Sequence, residues 1–116
     1  MTLVQKKIIT IKNRRDFLLT AKDMRSGQPG FLLQARNRLD EGKTIRVGYT
    51  CSKKIGNSVL RNRAKRRLRE LARMELAANG NPGWDYVLVG RPKATIARKF
   101  ALLVEDFSRA IKKIHR

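Results

Sequence analysis

The sequence holds few of the residues from which protein active sites are usually built. Its one histidine, His115, stands next to the C-terminus beyond the last apolar position and reads as a solvated tail residue. Its one cysteine, Cys51, excludes an intramolecular disulfide and any Cys/His zinc spacing, and in an alternating run it reads as a buried, reduced thiol. Carboxylates are scarce: of nine Asp and Glu, only Asp40–Glu41 and Glu105–Asp106 are adjacent. Sequence neighbours point apart on helices and strands, and the second pair reads as outward-facing on the last helix. Neither a matched acid–base pair, nor a two-metal carboxylate cluster, nor a Gly-rich phosphate loop is therefore expected. No run of about 18 apolar residues is present, and Met1 to Arg15 has no apolar segment before a cleavage site. A membrane span and a secretory signal are not expected, and the expected location is the cytoplasm.

What the chain has instead is positive charge. Its 28 Lys and Arg leave a net charge of +19 over 116 residues, while an ordinary 41% hydrophobic content provides for a folded core. This length fits one domain, expected to span residues 1–116. So one-sided a charge implies a polyanionic partner, either nucleic acid or an acidic membrane surface.

Periodicity then places the elements. Residues 1–12 read as an extended lead-in, and a first helix is expected from about Arg14 to Met24, capped by Asn13, with Phe17, Ala21 and Met24 as its apolar face. Ser26–Gly30 reads as a turn, and Phe31–Ala35 as a strand. Asn37–Lys43 reads as a hairpin connection to a strand over Arg46–Ser52, where Val47, Tyr49 and Cys51 alternate with Arg46, Gly48 and Thr50. A loop over Lys53–Asn57 leads to a long helix, residues 58–78, with Ser58 as its cap. A strand over Asp85–Gly90 and a last helix over Ile96–Ile114 follow. Strand, long helix and strand form a parallel pair joined by a crossover, and the whole is expected to be an α+β fold of helices on a small mixed sheet.

The long helix carries most of the chemistry. From Ser52 to Arg73 there are nine basic residues, Lys53, Lys54, Arg61, Arg63, Lys65, Arg66, Arg67, Arg69 and Arg73, against the single acid Glu70. At about 100° per residue, Leu60, Ala64, Leu68, Leu71 and Met74 form an apolar stripe. Arg61, Asn62, Lys65, Arg66, Arg69 and Arg73 occupy the opposite arc, while Arg63 and Arg67 fall at the stripe's edge and are expected to turn toward the sheet. A docked helix holds guanidinium forks in place, where they meet phosphates at low ordering cost. A solubility surface would mix both signs of charge, and a membrane-lying helix would carry bulkier apolar residues. Polyanion binding is the reading that remains, with a structural or ribosomal RNA-binding protein as the alternative. A DNA-reading helix-turn-helix is not evident.

The run "GYTCSKKIGNSVLRNRAKRRLREL", Gly48 to Leu71, resembles the signature of the bacterial ribonuclease P protein subunit, including its R-N-R motif at Arg61, Asn62 and Arg63. The "RRDF" at Arg14–Phe17, "PGFLLQAR" at Pro29–Arg36 and "DYVLVGRPKA" at Asp85–Ala94 extend the likeness over nearly the whole chain. The resemblance implies a four-stranded sheet with a left-handed crossover, similar to a ribosomal-protein domain. It implies an RNA-binding subunit of the endoribonuclease that removes 5′ leaders from precursor tRNA, with the active site and Mg²⁺ in the RNA and no tightly bound cofactor in the chain. The implied partners are the ribonuclease P RNA, in a 1:1 complex with a protein monomer, and precursor tRNA. Lys53, Lys54, Arg61, Asn62, Arg63, Lys65, Arg66, Arg69 and Arg73 would contact the RNA subunit, and Phe17, Phe31, Arg63 and Arg67 a leader-binding cleft. The family often has aromatics where Ala21 and Gln34 stand here. The family is also associated with metal ions near its R-N-R segment, and the sequence names no ligands for one.

Overall fold

Alternation in the Arg46 segment and the apolar run after Trp84 set the centre of the sheet. The computed structural model describes residues 7–116, so the first half of the expected lead-in, residues 1–6, lies outside the described residues. The elements are β1 (Ile8–Thr10), α1 (Arg14–Lys22), β2 (Met24–Gly27), β3 (Phe31–Asn37), β4 (Ile45–Thr50), a 3-10 turn (Lys53–Ile55), α2 (Ser58–Asn79), β5 (Trp84–Gly90), α3 (Ala94–Ala97) and α4 (Phe100–Ile114). The five strands lie in the order β1-β4-β5-β3-β2. As the pattern predicts, β4 and β5 are parallel neighbours joined through α2, with Val47 opposite Tyr86 and Tyr49 opposite Leu88.

The sheet has five strands rather than four, because both short segments at its edges pair. Ile8–Thr10 adds parallel to β4, and Met24–Gly27 adds antiparallel to β3. The first helix therefore stops at Lys22, Met24 belongs to β2, and the turn contracts to the residues between Gly27 and Phe31. The expected β3–β4 hairpin does not form. β5 inserts between the two, pairing antiparallel with β3 from Phe31↔Gly90 to Asn37↔Trp84. The β3–β4 connection instead crosses the sheet end, where Arg38 donates to the carbonyls of Trp84 (3.0 Å) and Thr44 (2.9 Å).

Two helix starts also differ from expectation. Asn57, not Ser58, caps α2, its Oδ1 accepting from the Leu60 amide at 3.0 Å. Asn13 makes no side-chain cap; its amide donates to Asp16 instead, at 3.3 Å. The C-terminal helix is broken in two, because Arg98 and Lys99 adopt extended backbone angles between α3 and α4.

The faces of the sheet differ in chemistry. One buries Phe31, Leu33, Ile45, Val47, Tyr86 and Leu88 against Leu68, Leu71 and Leu76 of α2 and Leu103, Phe107 and Ile111 of α4. Met74, expected in the α2 stripe, is 50% exposed, and Ala72 and Leu76 take its place in the core. The other face carries Arg46, Gly48, Asp85, Gln34 and Arg36, and α1 lies across it, tied there by Asp16.

Candidate nucleic-acid interface

The α1 face is organised by one carboxylate. Asp85 on β5 is fully buried and accepts from Arg36 Nη2 and Arg38 Nη1, each at 2.9 Å, and from Arg46 Nε and Nη2, each at 2.7 Å. Burial acts to raise its pKa, but the hydrogen bonds from Arg46, Arg36 and Arg38 outweigh it and hold the carboxyl below its ordinary value. Arg36 and Arg46 also reach Asp16 of α1, both at 3.3 Å. Register explains the arrangement: Asp85 lies between its pairing partners Arg36 on β3 and Arg46 on β4. Strand order is what brings these residues together, and sequence spacing carries no trace of it.

Beside this network α1 and β4 wall a cleft. Phe17 lies directly on Gly48, where an added Cβ would come within 2.5 Å of its ring, so the absence of a side chain at 48 lets the ring seat on the strand. A recess of about 500 Å³ opens there, lined by Arg14, Phe17, Leu18, Tyr49, Thr50 and Cys51. No acid lines it, and Leu18 is 48% exposed beside it. On the α2 side of Tyr49 and Cys51 stand Lys65, Arg69 and Arg73, each about one turn from the next. The Arg69 guanidinium sits over the Tyr49 ring at 5.7 Å, a cation–π contact that fixes both side chains. Burial raises the Tyr49 pKa while Arg69 and Arg73 oppose it, and burial raises that of Cys51 against the pull of Lys65. Cys51 is half-buried at the cleft rather than enclosed in the core.

The candidate residues separate into three places. Lys65 lies near Cys51 and Arg69 and Arg73 near Tyr49, Arg61 comes one turn before Lys65 on α2, and Lys53 and Lys54 lie exposed on the 3-10 turn before α2. Asn62 and Arg66 are exposed on α2. Arg63 and Arg67 do not turn toward the cleft. Arg67 donates to the Arg98 carbonyl and lies 6.0 Å from the Phe100 ring, at the α3–α4 junction, and the exposed Arg63 precedes it by one turn. Helix α2 meets β4 on one flank and α3 and α4 on the other, so its two basic edges face different partners. Phe31 is no cleft residue either: it is fully buried on the opposite face, its ring 6.1 Å from that of Phe107. Phe17 alone of the four expected cleft residues lines the recess, and Arg14, Leu18 and Tyr49 join it.

Two expectations about isolated acid–base groups are corrected. Asp106 is fully buried, accepting from the Gly30 amide (3.0 Å), Arg98 and Arg109, while Glu105 beside it is exposed. The register of α4 turns it inward toward the β2–β3 turn. His115 is no solvated tail: its ring packs edge-on to Trp84 at 4.4 Å, with Nε2 2.6 Å from the Tyr86 hydroxyl and Nδ1 3.0 Å from Asn81. Burial lowers its pKa. Among the described residues no group of three or more His, Cys, Asp or Glu is placed to hold a metal ion. The buried carboxylates Asp85 and Asp106 and the partly buried Asp16 are all engaged by arginines.

The fold and the site together define a basic α+β domain with a cationic helix beside an aromatic-lined cleft. A family model described as Ribonuclease P matches residues 6–115. The chain belongs to the ribonuclease P protein family, which takes part in tRNA processing. It is 53% identical over 109 residues to the ribonuclease P protein component of Ruegeria pomeroyi, covering 93% of this chain and 87% of that one. It is 44% identical over 105 residues to the ribonuclease P protein component of Caulobacter vibrioides, covering 90% of this chain and 70% of the relative. Among solved structures, the RNase P protein of Thermotoga maritima matches with a TM-score of 0.71 at 25% identity, over 86% of this chain and 92% of that one. The fold is also that of the Staphylococcus aureus RNase P protein, with a TM-score of 0.72 at 24% identity, over 90% and 94% of the two chains.

Proposed function

We propose that the chain is the RNA-binding subunit of ribonuclease P, gripping the catalytic RNA through α2 and the 5′ leader of precursor tRNA in the α1–β4 cleft. The observation that carries this reading is the acid-free cleft with Phe17 and Tyr49 in its walls and Lys65, Arg69 and Arg73 beside its residues Tyr49 and Cys51. A single-stranded polynucleotide needs an aromatic or apolar surface for bases and cations spaced along its backbone, and this cleft has both. The α2 residues Arg61, Asn62, Arg63 and Arg66, with Lys53 and Lys54, form the surface for the RNA subunit.

The chain contributes binding rather than bond cleavage. Its buried carboxylates are held by arginines and its histidine is packed against Trp84 and Tyr86, so none is free to act as a general base. Mg²⁺ would be held by the RNA subunit, and one protein in the cytoplasm would serve one RNA. Placing cations between two polyanions lowers their mutual repulsion, which Mg²⁺ otherwise has to screen. The test is cleavage of precursor tRNA by a bacterial ribonuclease P RNA at low Mg²⁺, with and without the chain. Strong stimulation is expected; no stimulation would reject the reading.

A further inference from the structure

The cleft is not the only recess along α2. On the other side of Tyr49 lies a second one, of about 210 Å³, lined by Ile8, Thr10, Val47, Tyr49, Arg69 and Arg73. Tyr49 and Arg69 form the partition: the ring lines both recesses, and the guanidinium over it lines the second. The floor is apolar, from Val47 and Ile8, and no acid lines the cavity. The acid nearest to it in sequence, Glu70, reaches Arg73 only at 3.8 Å across an exposed surface. The edge strand β1 supplies the outer wall. In the β1–β4 register Thr10 pairs with Val47, which places both on the α2 side of the sheet.

We infer that this second recess is a nucleotide subsite that continues the single-strand track beyond the cleft, with Tyr49 dividing two successive positions. The inference rests on the leader-binding reading and deepens it. Chemistry favours a nucleotide over an apolar ligand, because two guanidinium groups border an apolar floor, matching a phosphate linked to a base. Arg73 is 71% exposed and only weakly paired, so its donors are available to an incoming phosphate. The cations Lys65, Arg69 and Arg73 then run parallel to the strand instead of converging on one phosphate. The track would pass from Phe17, along Tyr49, to Thr10 and Arg73.

The test uses the holoenzyme reconstituted with a bacterial ribonuclease P RNA, and precursor tRNAs whose leaders lengthen one nucleotide at a time. Thr10→Glu places a carboxylate in the second recess from an exposed edge-strand position, and Arg73→Gln removes its exposed cation. Thr10→Glu should leave affinity for the shortest leaders at the wild-type value, and for both variants the loss should grow with leader length. They should weaken binding by about tenfold once the leader is long enough to pass Tyr49. The salt dependence for long leaders should flatten by about 0.7 for Arg73→Gln. Circular dichroism and thermal melting confirm that each variant is folded. A loss equal at all leader lengths, or no loss at any, overturns the subsite. Phe17→Ala keeps the two ideas apart: if it leaves affinity unchanged for every leader, the cleft reading itself fails, whatever Thr10→Glu does.

Discussion

At the scale of single residues, the acids of this chain carry as much of the argument as its arginines. Asp85 is buried among three guanidinium groups, and removing its charge leaves them unpaired in a low-dielectric site. Asp85→Asn should cost about 3–5 kcal/mol of folding stability, read by urea unfolding, although it changes one atom type. The pH dependence has a definite sign. Asp85 has a folded pKa below its ordinary value of 3.8, so its contribution is complete above that value and is lost as pH falls further. His115 is depressed from 6.5 by burial beside Tyr86, whose own pKa burial pushes up to about 12. Its neutral form is the folded one, so stability should begin to fall as pH drops below about 6.5. His115→Gln should remove that first decline and leave the more acidic one, as thermal melts across pH 4 to 8 would record. Phe17→Ala should cost about 1–3 kcal/mol of affinity for leader-bearing substrate and leave leaderless tRNA binding unchanged, the fold being checked by circular dichroism.

At the scale of elements, α2 is a divider with two unlike basic edges. Its Lys65–Arg69–Arg73 edge borders the cleft, and its Arg63–Arg67 edge meets α3 and α4. Arg61→Ala, Lys65→Ala and Arg69→Ala together should therefore flatten the salt dependence of RNA binding by about 0.7–0.9 per lost phosphate contact. Arg67→Ala should act mainly on stability, because its donor serves the Arg98 carbonyl. An Arg67→Ala chain that melts like wild type but loses leader affinity would contradict this division. The sequence made α2, β4 and β5 legible: α2 is long and keeps its apolar stripe as far as Leu71, β4 alternates, and β5 holds a continuous apolar run. It did not make β2 legible: Met24–Gly27 is four residues with no alternation, and only pairing with β3 makes it a strand. It could not show β5 entering between β3 and β4, because strand order is decided by packing of segments distant in sequence. The misplacement of Phe31 has the same root. Alternation says that β3 has two faces, but not which face α1 covers. Tyr49 was visible as an apolar strand residue, and only the neighbouring Arg69, twenty residues on, marks it as part of the site.

At the scale of the whole molecule, the charge of +19 acts in opposite directions on folding and on binding. Nine acids cannot balance 28 cations, and three of those acids, Asp16, Asp85 and Asp106, are committed to holding arginines within the fold. Those three acids engage five arginines, Arg36, Arg38, Arg46, Arg98 and Arg109, so most of the positive charge remains unpaired and the free chain is compact against its own repulsion. Added salt screens that repulsion, with a Debye length falling from about 30 Å at 0.01 M to about 10 Å at 0.1 M. Salt equally weakens every phosphate contact by removing the gain from counterion release. The free protein should therefore melt at rising temperature between 0.01 and 0.3 M salt, by about 4 °C for each kcal/mol recovered, while its affinity for RNA falls over the same range. The buried Asp85 and Asp106 networks are shielded from solvent and should contribute little to either slope. Short single-stranded RNA added at low salt should raise the melting temperature as salt does, because it neutralises the same surface. A melting temperature that fell with salt would mean that ion pairs, and not repulsion among unpaired cations, dominate the free chain.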